Sequence, residues 1–428
     1  MIHRHGSRYP TADASVSTFG RNLTTIIQNS ESQFTGGLSF LNTWSYILGH
    51  EILVPVGRQQ LFDSGVLHYY NYAHLYDTST NIIARTTSQD RMLKSAEYFM
   101  AGFFGQEWTH NATLEVLVDI KGFNNSLAGR RQCPNTQNPP NGVNLGGTNA
   151  SEVWQDIYLK DAQERLQQWS GDSFSWTIAD VYNAQTLCPY ETVAFGYSAW
   201  CQLFNYTEWE GYEYSVDLEF AGNYLFQSST GRAVGIGYVE ELLARLESHY
   251  LTSPTAQDNI TLDDNPMTFP LNQTLYFDFS HETNIVHILT ALGLTQFAPV
   301  LEPQGPPDSN RALKVSHIQP FAGRVDIEII STPHPVSPNR KDGRKAESEY
   351  EAGEATKYIH FIINQRTLPL GKSFARCGDR EDGWCELQTF LQLQQDSLAK
   401  AQYEYSCFGD YPPEEWGKIT DGIPSSQG

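Results

Sequence analysis

The chain has 428 residues, of which 28 are Lys or Arg and 49 are Asp or Glu, for a formal charge of −21. That balance excludes a protein whose main ligand is a nucleic-acid backbone, which demands clustered cations, while a small anion can still bind in a locally positive pocket. A hydrophobic content of 40% and an aromatic content of 13% exclude a disordered chain, and no apolar run reaches the roughly 18–20 residues that span a bilayer.

The chain opens on MIHRHGSRYPT. Phe19, Leu23, Ile26 and Ile27 then recur at helical spacing and predict an amphipathic helix. NIIAR at 81–85 reads as a short strand, and Ser88 as the cap of a helix whose Met92, Ala96, Phe99 and Phe103 share one face. From about 101 to 229 the pattern weakens around loops such as NTQNPPNGVNLGGTN (135–149), which is where an inserted helical cap is expected. The flanking segments 1–100 and 230–428 are expected to form the α/β part.

A helix resumes over 238–246. TLYFDFS (274–280) is aromatic on both faces, as a strand buried between helices would be. It runs into HETNIVHILTALGL, with Ile285, Ile288, Leu289 and Leu292 as an apolar stripe and Gly293 as a stop. Segments 325–330 and 358–363 read as further strands, and the polar stretch 331–357 between them as a mobile loop. Strands alternating with helices predict an α/β core whose ligands gather where strand ends feed helices.

Three such junctions carry chemistry. Arg4 and Arg8 flank His5, and guanidinium groups match phosphate oxygens in bidentate geometry. Arg85 closes the second predicted strand ahead of a helix N-terminus, itself an anion site. His281 and Glu282 follow the third. Cleavage of a phosphate ester needs a nucleophile, fixed positive donors and an acid for the leaving alkoxide, and these residues supply all three. The plainer alternatives are a basic surface turn for the heptapeptide, a structural salt bridge for Arg85 and helix capping for His281 and Glu282. GIGYV (235–239) lacks the third glycine of a dinucleotide fingerprint, and the basic cluster Arg340, Lys341, Arg344 and Lys345 reads as a solvated loop or a processing site.

Six cysteines (Cys133, Cys188, Cys201, Cys377, Cys385, Cys407) form an even set without zinc-site spacing, open to fifteen pairings. Seven N-x-S/T sequons, beginning at Asn22, Asn111, Asn124, Asn149, Asn205, Asn259 and Asn272, favour the secretory pathway and N-glycans. No signal peptide precedes the opening motif, so an upstream stretch is expected to be missing from this version of the chain.

The RHGSRYP heptapeptide, paired with the distant strand–HE–helix segment, resembles the histidine acid phosphatase family, especially its fungal phytase-like branch. CPYETVAFGYSAWCQLF (188–204), GIGYVEELLARL (235–246) and DDNPMTFPLNQTLYFDFSHETN (263–284) extend the resemblance over most of the chain, with 331–357 as an insertion. The resemblance implies a phosphoglycerate-mutase-like (histidine phosphatase) α/β sandwich with an inserted, mainly helical cap domain, the active site lying between them. It implies His5 as nucleophile, Arg4, Arg8, Arg85 and His281 as holders of the phosphoryl group, and Glu282 as proton donor where the family usually has Asp. It also implies the pairs Cys188–Cys201, Cys377–Cys385 and Cys133–Cys407, a small-molecule phosphomonoester as substrate, and neither metal nor organic cofactor. Phytases of this branch carry lysines shortly after the motif. Here the stretch is ADASVSTFGRN, so phytate is the leading guess and a broad-specificity acid phosphatase or an impaired phospho-ligand binder the alternative.

Overall fold

A computed structural model describes residues 1–29, 33–136, 146–253, 255–338, 350–412 and 414–425. Its centre is an eight-stranded mixed sheet. In chain order the strands are β1 (Ile2–Arg4), β2 (Ile82–Thr87), β3 (Ala112–Leu117), β4 (Asp278–Ser280), β5 (Arg324–Thr332), β6 (Thr356–Ile363), β7 (Arg366–Leu368) and β8 (Cys385–Glu386). Across the sheet they run β3-β2-β4-β1-β5-β6-β7, with β8 also on β6. β3, β2, β4 and β1 are mutually parallel, and β5 onward is antiparallel.

Helices cover the sheet on both faces. On one face the helices Pro55–Tyr72 and Asp90–Phe104 pack through a core that includes Leu61, Met92, Phe99, Phe277 and Phe279. They approach backbone to backbone: a Cβ on Gly65 would lie 2.1 Å from the Phe99 carbonyl oxygen. On the other face the helices Gly231–Glu247 and Glu282–Ala291 share a core with Ile2, Val325 and Phe361. Alternation along β1 sends Ile2 to that core while His3 turns to the opposite face, against Phe99 and the Ser64 hydroxyl.

β1 is short but central. Ile2 pairs with Asp278 on one side and Val325 on the other, and the Met1 ammonium donates to the Tyr276 carbonyl at 2.9 Å. A second, aromatic core joins the helix Ser15–Asn29 to the helices Lys160–Ser170 and Ile178–Phe195 through Phe19, Leu23, Trp176 and Trp200. The Cys188–Cys201 bond staples this unit, Cys133–Cys407 ties residue 133 to the C-terminal region, and Cys377–Cys385 closes a short loop.

Several expectations change. β3 lies inside the stretch 101–229 expected as cap, yet it pairs with β2 along its whole length. The helix Ser15–Asn29 packs with the cap helices and not with the α/β part expected for 1–100. Gln89 occupies the N-cap position of the helix over 90–104 without a side-chain capping bond, and the Ser88 hydroxyl instead accepts the Asp119 N–H at 2.9 Å. The predicted loop 331–357 contributes residues at both ends to β5 and β6. Its middle, with the basic cluster at 340–345, lies outside the described residues, as does most of loop 135–149.

Candidate active site

β1 ends at Arg4 opposite Ser280, the last residue of β4. The two chains leave the sheet side by side, which sets His5 beside His281, with ring centroids 5.9 Å apart. His281 is the N-cap of the helix Glu282–Ala291, and Glu282 its first residue. One ligand atom from each of His5, His281 and Glu282 falls within 4.8 Å of the other two.

The turn after β1 is locked by backbone contacts. The His5 carbonyl accepts the Ala322 N–H at 2.9 Å, and the Ser7 N–H donates to Gln60 Oε1 at 2.9 Å. A Cβ on Gly6 would lie 2.2 Å from the Gly57 carbonyl oxygen, so only glycine allows the turn to press on the helix start at 55. His5 Nδ1 lies 2.9 Å from the Gly6 carbonyl. A carbonyl only accepts, so Nδ1 carries the proton and the lone pair is left on Nε2. Burial, reinforced by Arg4 and Arg8 against the opposing pull of Glu282, pushes the His5 pKa down to about 3. The imidazole is therefore neutral and nucleophilic over most of the acid range.

His5 Nε2 faces Glu282 Oε2 at 3.3 Å, and Arg4 Nε approaches the same oxygen at 3.0 Å. Burial opposes ionisation of Glu282, but Arg4, His5 and Arg8 prevail and hold its carboxyl well below the usual range. Arg4 also donates to the Gln319 carbonyl and stacks over Phe321 at 4.5 Å. Arg8 donates to the Tyr9 carbonyl at 2.8 Å and is largely buried.

Arg85 does not join this cluster. It sits in the middle of β2, in register with Asp278, which itself pairs with Ile2. That places it three residues, roughly 10 Å, below the level of His5. Its Nε donates to Asp278 at 2.7 Å and its Nη2 to Glu241 at 2.6 Å, with Asp263 at 4.0 Å. The strand runs two residues further than expected, and the buried carboxylates satisfy this guanidinium as a structural ion pair.

Arg91 stands at the site instead. It is the second residue of the helix that follows β2, it pairs with Glu51 at 2.7 Å, and the charges acting on it are those of Arg8, Glu282 and Asp119. Nothing in its spacing singled it out, although a helix N-terminus at the sheet's C-terminal edge is where an anion-binding Arg belongs. Arg4 Nε, His5 Nε2, Arg8 Nε, Arg91 Nε and His281 Nε2 are all buried without a partner in hydrogen-bond geometry. Buried polar atoms left unsatisfied in this way are costly unless a ligand uses them. His5, His281 and Glu282 have the spacing of a cation site, but three arginines around them favour an anion.

Residues 1–364 match the profile of the histidine phosphatase superfamily (branch 2). Phytase A of Emericella nidulans is 32% identical over 414 residues, covering 92% of this chain and 81% of that protein. Phytase A of Aspergillus fumigatus is 30% identical over 407 residues, with 92% and 80% covered. The acid phosphatase of Schizosaccharomyces pombe is 27% identical over 407 residues, with 91% and 79% covered. The crystal structure of the D. castellii phytase superposes with a TM-score of 0.72 at 20% identity, over 97% of this chain and 82% of that one. Taken with the sheet order and the junction of β1 and β4, these likenesses settle the family: the chain belongs to the histidine phosphatase superfamily, branch 2.

Proposed function

We propose that this protein is a secreted acid phosphatase that hydrolyses phosphomonoesters through a phosphohistidine on His5. The observation that carries the reading is the pose of His5: its proton is committed to the Gly6 carbonyl, and its free Nε2 points at the Glu282 carboxyl among three arginines. Arg4, Arg8, Arg91 and His281 hold the equatorial oxygens. Nε2 attacks phosphorus, the P–O bond to the alcohol breaks, and Glu282 gives the departing oxygen its proton. Water then attacks the phosphohistidine, the P–N bond breaks, and the Glu282 carboxylate takes the water's proton.

Phytate is among the expected substrates, since three-tenths of the sequence is shared with proteins named Phytase A. Selectivity for it is expected to be modest, because Arg21 is the only cation in the stretch ADASVSTFGRN. Export fits six cysteines all paired as disulfides; among the described residues no helix is long and apolar enough to cross a membrane.

The test is phosphate release by the purified protein from an aryl phosphate and from phytate at acid pH, with His5→Ala as control. Release from either that is abolished in His5→Ala supports the reading. Absence of release from both, or full activity of His5→Ala, overturns it.

A further inference from the structure

Glu51 stands beside the site in a backbone conformation that a side chain does not favour. Its φ is +67°, in the left-handed region where glycine is at ease and other residues are strained. The segment around it runs antiparallel to the opening motif: Leu53 bridges Arg8, the Glu51 N–H donates to the Pro10 carbonyl at 3.0 Å, and the Tyr9 N–H donates to the Ile52 carbonyl at 3.1 Å. Held in this way, Glu51 sends its carboxylate onto two partners. Oε2 accepts from Arg91 Nη1 at 2.7 Å, and Oε1 accepts the Ala12 N–H, just past the motif, at 3.4 Å. A strained residue that glycine could replace points to a use for its side chain.

Arg91 is 13% exposed, its Nε is buried without a partner, and the charges of Arg8 and Glu282 act on it. Glu51 thus engages one end of this guanidinium and leaves Nε to a ligand. The Glu51 side chain itself is 39% exposed, so its charge faces solvent at the rim and not the core. Arg21, the one cation of the stretch ADASVSTFGRN, is turned onto the Ala12 carbonyl at 3.1 Å. The rim next to Arg91 therefore presents a carboxylate where a substrate with several phosphates would need cations.

We propose that Glu51 is a specificity-determining residue: its carboxylate, fixed on Arg91 at the rim, turns the site against esters that carry further phosphate groups and toward monoesters of an uncharged alcohol. The inference rests on the reading of the site as a phosphatase with Arg91 among the holders of the phosphoryl group. The scissile phosphate enters among three arginines, and Glu51 costs it little. Each additional phosphate lies outside them, on the solvent side where Glu51 is exposed, and is repelled.

The experiment compares phytate with phenyl phosphate as substrates of the wild type, Glu51→Gln and Glu51→Gly at about pH 5.5, above the ordinary carboxylate range. Glutamine keeps an acceptor for Arg91 without the charge, and glycine fits the left-handed backbone, so both variants should fold. The ratio of kcat/KM for phytate to that for phenyl phosphate should rise about fivefold or more in both, through KM, and the rise should shrink in about 0.5 M salt, which screens an exposed charge. A ratio unchanged or lowered in either variant, whatever the melting temperature does, would reduce Glu51 to a structural ion pair and overturn the proposal. A rise that persists undiminished in salt would assign the effect to shape and overturn it as well. Calorimetric binding of phytate and of inorganic phosphate separates this failure from that of the phosphatase reading. If the wild type turns over neither ester, the phosphatase reading falls. The role of Glu51 then stands only if phytate gains affinity in the variants by a similar factor while inorganic phosphate gains less, and falls otherwise.

Discussion

Glu282 is ionised while it lies against Arg4 and His5, yet a proton donor must carry a proton. In the proposed reaction the incoming phosphoryl group resolves this, because it takes over Arg4 and so withdraws the cation that does most to hold the carboxyl down. In the free enzyme the protonated fraction falls about tenfold for each pH unit above the donor's pKa. The expected outcome is a kcat/KM that declines with pH from the acid side, with neutral His5 available above about pH 3. A profile flat into the alkaline range would contradict the donor role. Glu282→Gln should cost about 10²–10⁴-fold in kcat on alkyl phosphates and far less on nitrophenyl phosphate, whose leaving group departs without a proton; equal losses on both would remove Glu282 from that role. Glu282→Asp addresses the impaired-enzyme alternative: a large gain of turnover would favour it, and a loss would mark Glu as the competent acid of this site.

The same scale separates two arginines that the sequence could not tell apart. Arg91→Gln should raise KM for a phosphomonoester by about tenfold or more, in line with the loss of a charged hydrogen bond to the anion, with the melting temperature nearly unchanged. Arg85→Gln should do the reverse. It strips Glu241 of its buried cation while Asp278 keeps Arg245, a loss of about 3–5 kcal/mol, read as a lower denaturation midpoint with KM preserved in the folded fraction.

At the scale of elements, the site is a meeting of β1, β4 and two helix starts, and its tolerance is set by backbone approach. Gly6 and Gly57 touch main chain to main chain, and a Cβ on Gly57 would lie 1.9 Å from the Ser7 carbonyl oxygen. Gly6→Ala should lower stability by about 1–3 kcal/mol through overpacking and turnover by more than that loss explains, because His5 and Arg8 ride on this turn. A variant with wild-type turnover and an unchanged unfolding midpoint would show that the turn yields freely. The elements were largely legible. Phe19 with Leu23 and Met92 with Phe99 gave their helices by spacing, and both are buried as that spacing demands. The strand TLYFDFS shrank to Asp278–Ser280, the length over which it pairs with β1, while β2 meets it only at Asp278.

At the scale of the molecule, a cluster of buried carboxyls around Arg85 and Arg245 gives the fold an acid preference. Burial first, and repulsion second (from Glu241 on Asp263 and from Asp258 on Glu240), raise Asp263 and Glu240 above the carboxylate range, and burial raises Glu115 to about 7. Each binds its proton more tightly folded than unfolded. Their stabilisation is complete below the unfolded pKa near 4 and is lost as pH rises through the folded values. The melting temperature should therefore fall between about pH 5 and pH 8, and Asp263→Asn should flatten that fall. An unchanged slope would remove Asp263 from the cause. Glu282 and Asp278 act oppositely, since their depressed values cost stability only as pH drops below the unfolded range.

The sequence by itself determined the RHGSRYP turn with its two arginines, the HE pair at a helix start and the α/β alternation, because each is a local pattern: a turn, a strand end, a helix start. It could not determine which later arginine stands near Arg8 and Glu282, nor that Asp119 lies against His281, nor that residues 15–29 pack with the helices Lys160–Ser170 and Ile178–Phe195. Those facts depend on register, and register is fixed by pairing between strands far apart in the chain. One such pairing, Arg85 with Asp278 two residues before the end of either strand, is what sends Arg85 into the core and leaves Arg91 at the site.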